Sequence, residues 1–277
     1  MHTNPPRHHP VEIAPDTFVI QATQGEGVAP MAVHLNSMVI RGREPIVVDT
    51  GAATHRDRYL EDLFSLVDPE DVRWVFLSHD DADHYGNLDA VMAACPHATL
   101  VTSWFQWERM ENMPTIPPFR LRWIDDGGTF EANGRTYAAI RPPVYDSPTT
   151  RGLYDTGTGV YWASDCWATP VARGTANVDE LDAADWRDGF TMFQLMNSPW
   201  LSVVDDARYQ RSVDRVADLH IRAIASAHGP AITGGNVAVA MDMLRGLAGM
   251  DVPEGPGQPM LDEIVNGLLA DAAADGR

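Results

Sequence analysis

The chain has 277 residues and a formal net charge of −19, and its 20 basic residues are all arginine. Counterion-driven binding needs a basic patch, so the charge excludes nucleic acid and anionic membranes as expected partners. The lack of lysine excludes Schiff-base and P-loop lysine chemistry, and two cysteines, Cys95 and Cys166, make neither a disulfide framework nor a CxxC zinc pattern. The N-terminus MHTNPPRHHP is polar, and no apolar run reaches membrane length, so the expectation is a cytoplasmic chain with no membrane span.

In chain order, residues 1–14 are expected to be a flexible tail, with His8 and His9 in solvent, ahead of a single domain over 15–277. The runs 17–22, 31–42 and 45–51 read as strands in hairpins. Of these, 46-IVVD-49 is apolar up to Asp49 and suits a strand buried on both faces. Tyr59, Leu60, Leu63, Phe64 and Val67 predict a helix over 55–67. A strand at 73–78, a helix at 86–94 and a strand at 99–103 follow. The second half predicts strands at 121–124, 129–131, 135–141 and 159–163, then a helical segment at 176–198 and a helix at 205–219. A strand at 221–226 precedes helices at 236–248 and 259–273. The last helix carries Met260, Leu261, Ile264, Val265, Leu268 and Leu269 on one stripe, which packs on the domain or on a second copy in a homo-oligomer. Two strand clusters, each followed by helices, predict an α/β fold of two facing sheets with helices outside, a four-layer αββα sandwich.

The stretch 77-LSHDDADHYGN-87 follows an apolar strand and carries His79, Asp81, Asp83 and His84 as H-x-D-x-D-H, with Asp80 as a third carboxylate. Buried unpaired carboxylates are costly and clustered ones repel, and a bound cation removes both costs. Two other strand ends bring polar groups, Asp165 in 163-ASDCW-167 and His228 in 226-SAHGP-230. These donors together are enough for one or two metal ions. Asp49, at a fourth strand end, is read as orienting the loop through backbone hydrogen bonds, with ligation as the alternative. Cys166 is read as a small buried thiol, His97 as surface, and His34 and His220 as structural. Trp162, Trp167, Met192, Phe193, Met196 and Trp200 suit either a pocket or the core.

The series VVDTG, H-x-D-x-D-H-x-G, a lone Asp and then His-Gly resembles the metallo-β-lactamase superfamily. Zinc hydrolases of that superfamily carry His where this chain has Asp81, and a carboxylate there is similar to the flavodiiron, or oxygen-binding di-iron, branch. The similarity spans about residues 15–235. It implies two adjacent metals, the first held by His79 and Asp81, the second by Asp83, His84 and His228, with Asp165 bridging. The family has one more histidine near Pro143, but this chain has none between His97 and His220. That leaves three readings: a mononuclear second site, a weak first site with extra water, or Tyr145 or Asp146 as replacement ligand. Nothing in the chain resembles the family's flavin domain, so no flavin is expected on it, and redox turnover needs a separate electron donor. Three functions remain open. One is an iron enzyme, with one or two ions, acting on dioxygen, nitric oxide or a small-molecule substrate that it oxidises. Another is a zinc or manganese hydrolase of an ester, lactone, thioester or phosphoester, with Asp81 or Asp83 as catalytic proton acceptor. The third is a non-catalytic oxygen or redox sensor.

Overall fold

A computed structural model describes residues 8–27, 29, 31–110, 115–255 and 257–274, with side chains to residue 270. The chain opens on a hairpin of β1 (Val11–Ala14) and β2 (Thr17–Ile20), turned by Asp16 at φ 58°. Asp tolerates this left-handed conformation because its short side chain bonds locally. The strands β3 (Thr23–Gln24) and β4 (Val33–His34) pair antiparallel as a separate small ribbon. The first sheet continues through β5 (Ser37–Ile40), β6 (Ile46–Val48), β7 (Trp74–Phe76), β8 (Thr99–Thr102) and β9 (Leu121–Trp123), in the order β1-β2-β5-β6-β7-β8-β9. Pairing is antiparallel as far as β6 and parallel from β6 to β9. Parallel neighbours need crossovers. These are α1 (Arg56–Leu66), then α2 (Ala82–Tyr85) with α3 (Leu88–Ala94), then α4 (Trp104–Arg109).

The second sheet runs in sequence order through β10 (Thr129–Ala132), β11 (Arg135–Ile140), β12 (Gly152–Asp155), β13 (Val160–Trp162), β14 (Ala223–Ala225) and β15 (Ile232–Thr233). Its one parallel pair among the described residues, β13 with β14, is bridged by α5 (Ala183–Asn197) and α6 (Asp206–Ala217). Helices α7 (Asn236–Arg245) and α8 (Gln258–Ala274) close the chain. None of the helices among the described residues is long and apolar enough to cross a membrane.

Three apolar clusters show the layering. Ile46 and Val48 of β6 join Phe76, Phe130, Tyr137 and Trp162 between the sheets. Val47, one residue away, joins Leu63 and Val91 under the first helix layer. Tyr161, Phe190, Val213 and Leu244 fill the layer outside the second sheet. Side chains of a strand alternate between faces. A strand covered on both faces must therefore be apolar at every position, as IVV is, and this is the αββα sandwich expected.

Some boundaries need correction. Residues 11–14, assigned to a flexible tail, form β1, with Val11 set against Val19 and Glu12 against Phe18. Pro10 and Pro15 disguise this edge strand, a position where proline is tolerated. His8, read as a solvated tail residue, instead meets Glu26 at 3.0 Å, and residues 1–7 lie outside the described residues. The helix expected at 86–94 is α3, starting at Leu88; the separate turn α2 ahead of it, which carries Asp83 and His84, was not expected. Strand β12 was not expected. Trp162 and Trp167 are core residues, both fully buried.

Candidate metal centre

All the expected donors leave the same edge of the sandwich, the carboxyl ends of parallel strands, where side chains converge in open α/β sheets. His79 and Asp81 lie in the loop after β7, and Asp83 and His84 ride on α2. Asp165 follows β13 and His228 follows β14. Three non-glycine residues there take left-handed backbone, Asp49 (φ 56°), Ser164 (φ 55°) and Trp167 (φ 63°). Such strain is tolerated only where the surroundings over-determine it. Asp49, fully buried, accepts hydrogen bonds from the Ser78 amide (2.7 Å), Ser78 Oγ (2.6 Å), His84 Nδ1 (2.9 Å) and Trp162 Nε1 (3.0 Å). With its oxygens committed, Asp49 orients the centre from behind, the role expected of it.

The three imidazoles present the same atom to the centre, and the bonds behind them say why. His84 Nδ1–H donates to Asp49, and His228 Nδ1–H donates to the His34 carbonyl at 2.8 Å. For His79 a relay fixes the tautomer. The Asp49 carboxylate only accepts, so Ser78 donates to it; Ser164 Oγ–H donates to Ser78 at 3.0 Å; and His79 Nδ1–H is left to donate to Ser164 at 3.0 Å. Each Nε2 therefore carries its lone pair toward the centre, the arrangement that metal-bound histidines need. Asn36 holds the His228 loop by donating to the Ser226 and Gly229 carbonyls, both at 2.9 Å.

In front of these rings the donors fall into overlapping groups, each with its donor atoms within 4.8 Å of one another. One is Asp83, His84 and His228; a second is His79, His84 and Asp165; a third is His79, Asp81 and Asp146. Asp165 Oδ1 lies 3.1 Å from His84 Nε2 and 3.3 Å from His228 Nε2, while its Oδ2 lies 3.9 Å from His79 Nε2. His79 Nε2 is 3.6 Å from Asp81 and 3.9 Å from Asp146. With the imidazoles neutral, His79 Nε2, His84 Nε2 and Asp165 Oδ1 are all acceptors, buried with no donor between them. Each such atom costs roughly 1–3 kcal/mol unless something satisfies it. One or two cations at this point would satisfy all three, so the donor set fits a metal.

Residues 33–229 match the model of the ODP family beta lactamase. The chain belongs to this family. A protein of Nostoc sp. (strain PCC 7120 / SAG 25.82 / UTEX 2576) described as a diflavin flavoprotein is 27% identical over 230 residues, 79% of this chain but 38% of its own. In structure the chain is similar to the flavodiiron protein of Giardia intestinalis (TM-score 0.73, 19% identity, 87% of this chain and 59% of that one). It is also similar to the rubredoxin oxygen:oxidoreductase of Desulfovibrio gigas (TM-score 0.75, 17% identity, 86% and 61%). The chain thus spans about two fifths of the length of the Nostoc relative and has the metallo-β-lactamase fold of a flavodiiron-like core.

Of Tyr145 and Asp146, the two residues expected as replacement ligands, the structure brings one to the donor group. Tyr145 turns away, its ring 5.2 Å from that of Trp200 and its carbonyl accepting the Trp200 indole N–H at 2.8 Å. Asp146 turns inward to His79 and Asp81. Asp80, the third carboxylate of the motif, faces away and pins the Asp146 loop. It accepts from Ser147 Oγ (2.9 Å), from Thr149 Oγ1 and from Arg109 (2.5 Å). Besides Ser78 and Asn36, three positioning residues were not singled out from sequence. Ser164 lies behind His79, Asn197 donates to Asp165 Oδ2 at 3.4 Å, and Arg109 anchors Asp80. Only Ser164 carried a signal, standing next to Asp165.

The electrostatics are those of a cation site. Burial opposes the charge on His84, but Asp165 and Asp49 outweigh it and lift its pKa well above the ordinary imidazole value. Burial likewise opposes charge on His228, yet Asp165 raises it to about 9. Burial alone would raise Asp165, but His228, His79 and His84 hold its carboxyl well below the usual range. The hydrogen bond to His79 lowers Asp81, whereas burial and then Asp165 raise Asp146. Without a metal, protons on the histidines supply the positive charge the carboxylates require.

Proposed function

We propose that this chain is an iron-dependent oxidoreductase whose two-metal centre acts on dioxygen or nitric oxide with electrons from a separate donor. His79, Asp81 and Asp146 would hold the first metal, Asp83, His84 and His228 the second, with Asp165 between them. The observation that carries the reading is the donor set: four carboxylates with three imidazoles, and no sulfur donor in any of the groups. Hard oxygen donors favour iron or manganese over zinc. Four carboxylates in front of the rings, with Asp49 behind His84, concentrate negative charge that divalent cations would offset. The bound metals would supply electron transfer to a small diatomic substrate.

The chain's own residues prepare that site. Asp49 and the His34 carbonyl fix two imidazole tautomers, and the serine relay fixes the third. Asp80 holds the loop that presents Asp146. Asp81 and Asp83 are the most exposed of the donors, at 52% and 29%, and are the groups able to pass protons between solvent and the centre.

The test is metal analysis of protein purified without added metal, iron being quantified beside zinc and manganese. Near two iron per chain is expected, followed by dioxygen or nitric oxide consumption with a chemical electron donor. Zinc with no iron would overturn the reading and turn attention to hydrolysis, as the zinc relatives of the fold suggest.

A further inference from the structure

A chamber of about 750 Å³ lies between α5 and α8. Met192, Phe193 and Met196 form one wall, and Met260 and Ile264 face them from α8, with Met31 at the side. Its inner end reaches the metal donors. The Phe193 ring sits 5.7 Å from the His228 ring, and Asn197, another lining residue, donates to Asp165.

Size decides against a role in holding a diatomic gas alone. One water needs only about 10–15 Å³ of such space, so the chamber is many times larger than a diatomic substrate needs. It falls inside the roughly 300–1,000 Å³ range of sites for organic ligands. The lining is apolar and soft, since methionines adapt to irregular shapes. Met31, Met196 and Met260 are 39–44% exposed at its rim. A contiguous open apolar surface of this kind marks a binding site.

Charge narrows the class. Among the described lining residues Glu254 is the one charged side chain, and there is no arginine. A second hollow of about 490 Å³ shares Met31, Pro170 and Met192 with the first and carries Asp185 and Asp188. A ligand lying along both meets methionine and phenylalanine in the middle and carboxylates toward the ends, which repel an anion.

We propose that this chamber binds an apolar organic molecule, uncharged or with a cationic end, beside the metal centre. The role of that molecule rests on the metal-centre reading, but its binding does not.

The test titrates the full chain with Nile red, which is uncharged, and with 8-anilinonaphthalene-1-sulfonate, an anion of similar size. Nile red is expected to saturate at one per chain with blue-shifted emission, and the sulfonate to bind at least tenfold more weakly. Met192→Glu and Met260→Glu should each weaken Nile red at least tenfold with metal content unchanged. Met260 is partly exposed on α8, so that variant decides the matter if the other fails to fold. Loading Co²⁺ should quench the bound probe relative to metal-free protein. Nile red affinity untouched by Met260→Glu, a sulfonate that binds as tightly, or emission unchanged in protein shown to hold Co²⁺ would each overturn the proposal. Wild-type protein that binds the probe as described but contains no iron would instead overturn the redox reading alone.

Discussion

Asp165 divides the centre into two unequal halves. On one side Asp83, His84 and His228 come from a helical turn and a strand end, and both imidazoles are almost fully buried. Their Nδ1 atoms are anchored by a carboxylate and a backbone carbonyl, partners that cannot rotate away. On the other side His79 is as deeply buried, but its Nδ1 rests on a serine hydroxyl, and its partners Asp81 and Asp146 stand on loops. Charge-assisted bonds are about twice as strong as neutral ones, so the two halves differ in rigidity as well as composition. The first half trades a fixed imidazole for a carboxylate that arrives on a pinned loop. On the proposed reading it would be the half suited to exchange ligands and protons, and the second the half suited to keep its metal.

The largest expected effect follows from removing an anchor of the tighter half. His228→Ala should abolish most of the tightly bound iron, whereas His79→Ala should cost about one equivalent and leave the other. Losing even a partner behind a metal ligand costs roughly 10–100-fold in affinity, so losing a ligand should exceed that. Iron stoichiometry after gel filtration reads both. Equal loss in the two variants would erase the distinction between the halves.

A smaller effect is expected at Asp146, because Asp81, His79 and Asp165 remain. Asp146→Ala should lower iron from about two toward one per chain without unfolding the protein, the side chain being partly exposed at 17%. Asp146→Ala that keeps two iron per chain would leave the first metal to water in place of the carboxylate. The Mössbauer spectrum of the iron that remains should resemble that of the second half alone.

Much of this centre is legible without coordinates because its signals are local. The H-x-D-x-D-H packs four donors into one loop, and Asp165 and His228 each follow an apolar strand whose direction the βα alternation fixes. The two-sided burial of 46-IVV-48 is visible in its unbroken apolar run. Asp146 was not decidable. It stands beside Tyr145 in an irregular loop, and what separates them is tertiary: Trp200 captures the tyrosine, and Asp80 fastens the loop. Strand β1 hid behind flanking prolines, and β12 begins with a glycine that a strand pattern does not favour. Gly152 is required there because an added Cβ would meet the Trp162 carbonyl at 2.5 Å, a constraint set by a neighbouring strand. The chamber wall was readable as a helix with Met and Phe positions, but which face it turned to the metals depended on α8.

The finest probe of the two halves is pH, because protons stand in for the cation when metal is stripped. In metal-free protein the pKa of His228 is raised to about 9 by Asp165 against the opposing effect of burial. In the unfolded chain it returns to about 6.5. A raised folded-state pKa stabilises the fold fully below the unfolded value, and that contribution is lost as pH rises through the folded one. Chelated protein should therefore weaken between about pH 6.5 and 9, by roughly 2–3 kcal/mol at 1.36 kcal/mol per unit, as read by urea unfolding. Metal-loaded protein should behave oppositely, since a metal needs the neutral imidazole and competes with the proton, so its affinity climbs over the same window. His228→Gln should reduce the alkaline loss, with His84, also raised against burial by Asp165 and Asp49, left to supply the rest, while Asp146→Asn, whose target lies in the other half and is shifted upward by burial and Asp165, should leave that loss in place. A metal-free protein as stable at pH 9.5 as at pH 6.5 would mean that the tighter half is held together by something other than its charge pairing with Asp165.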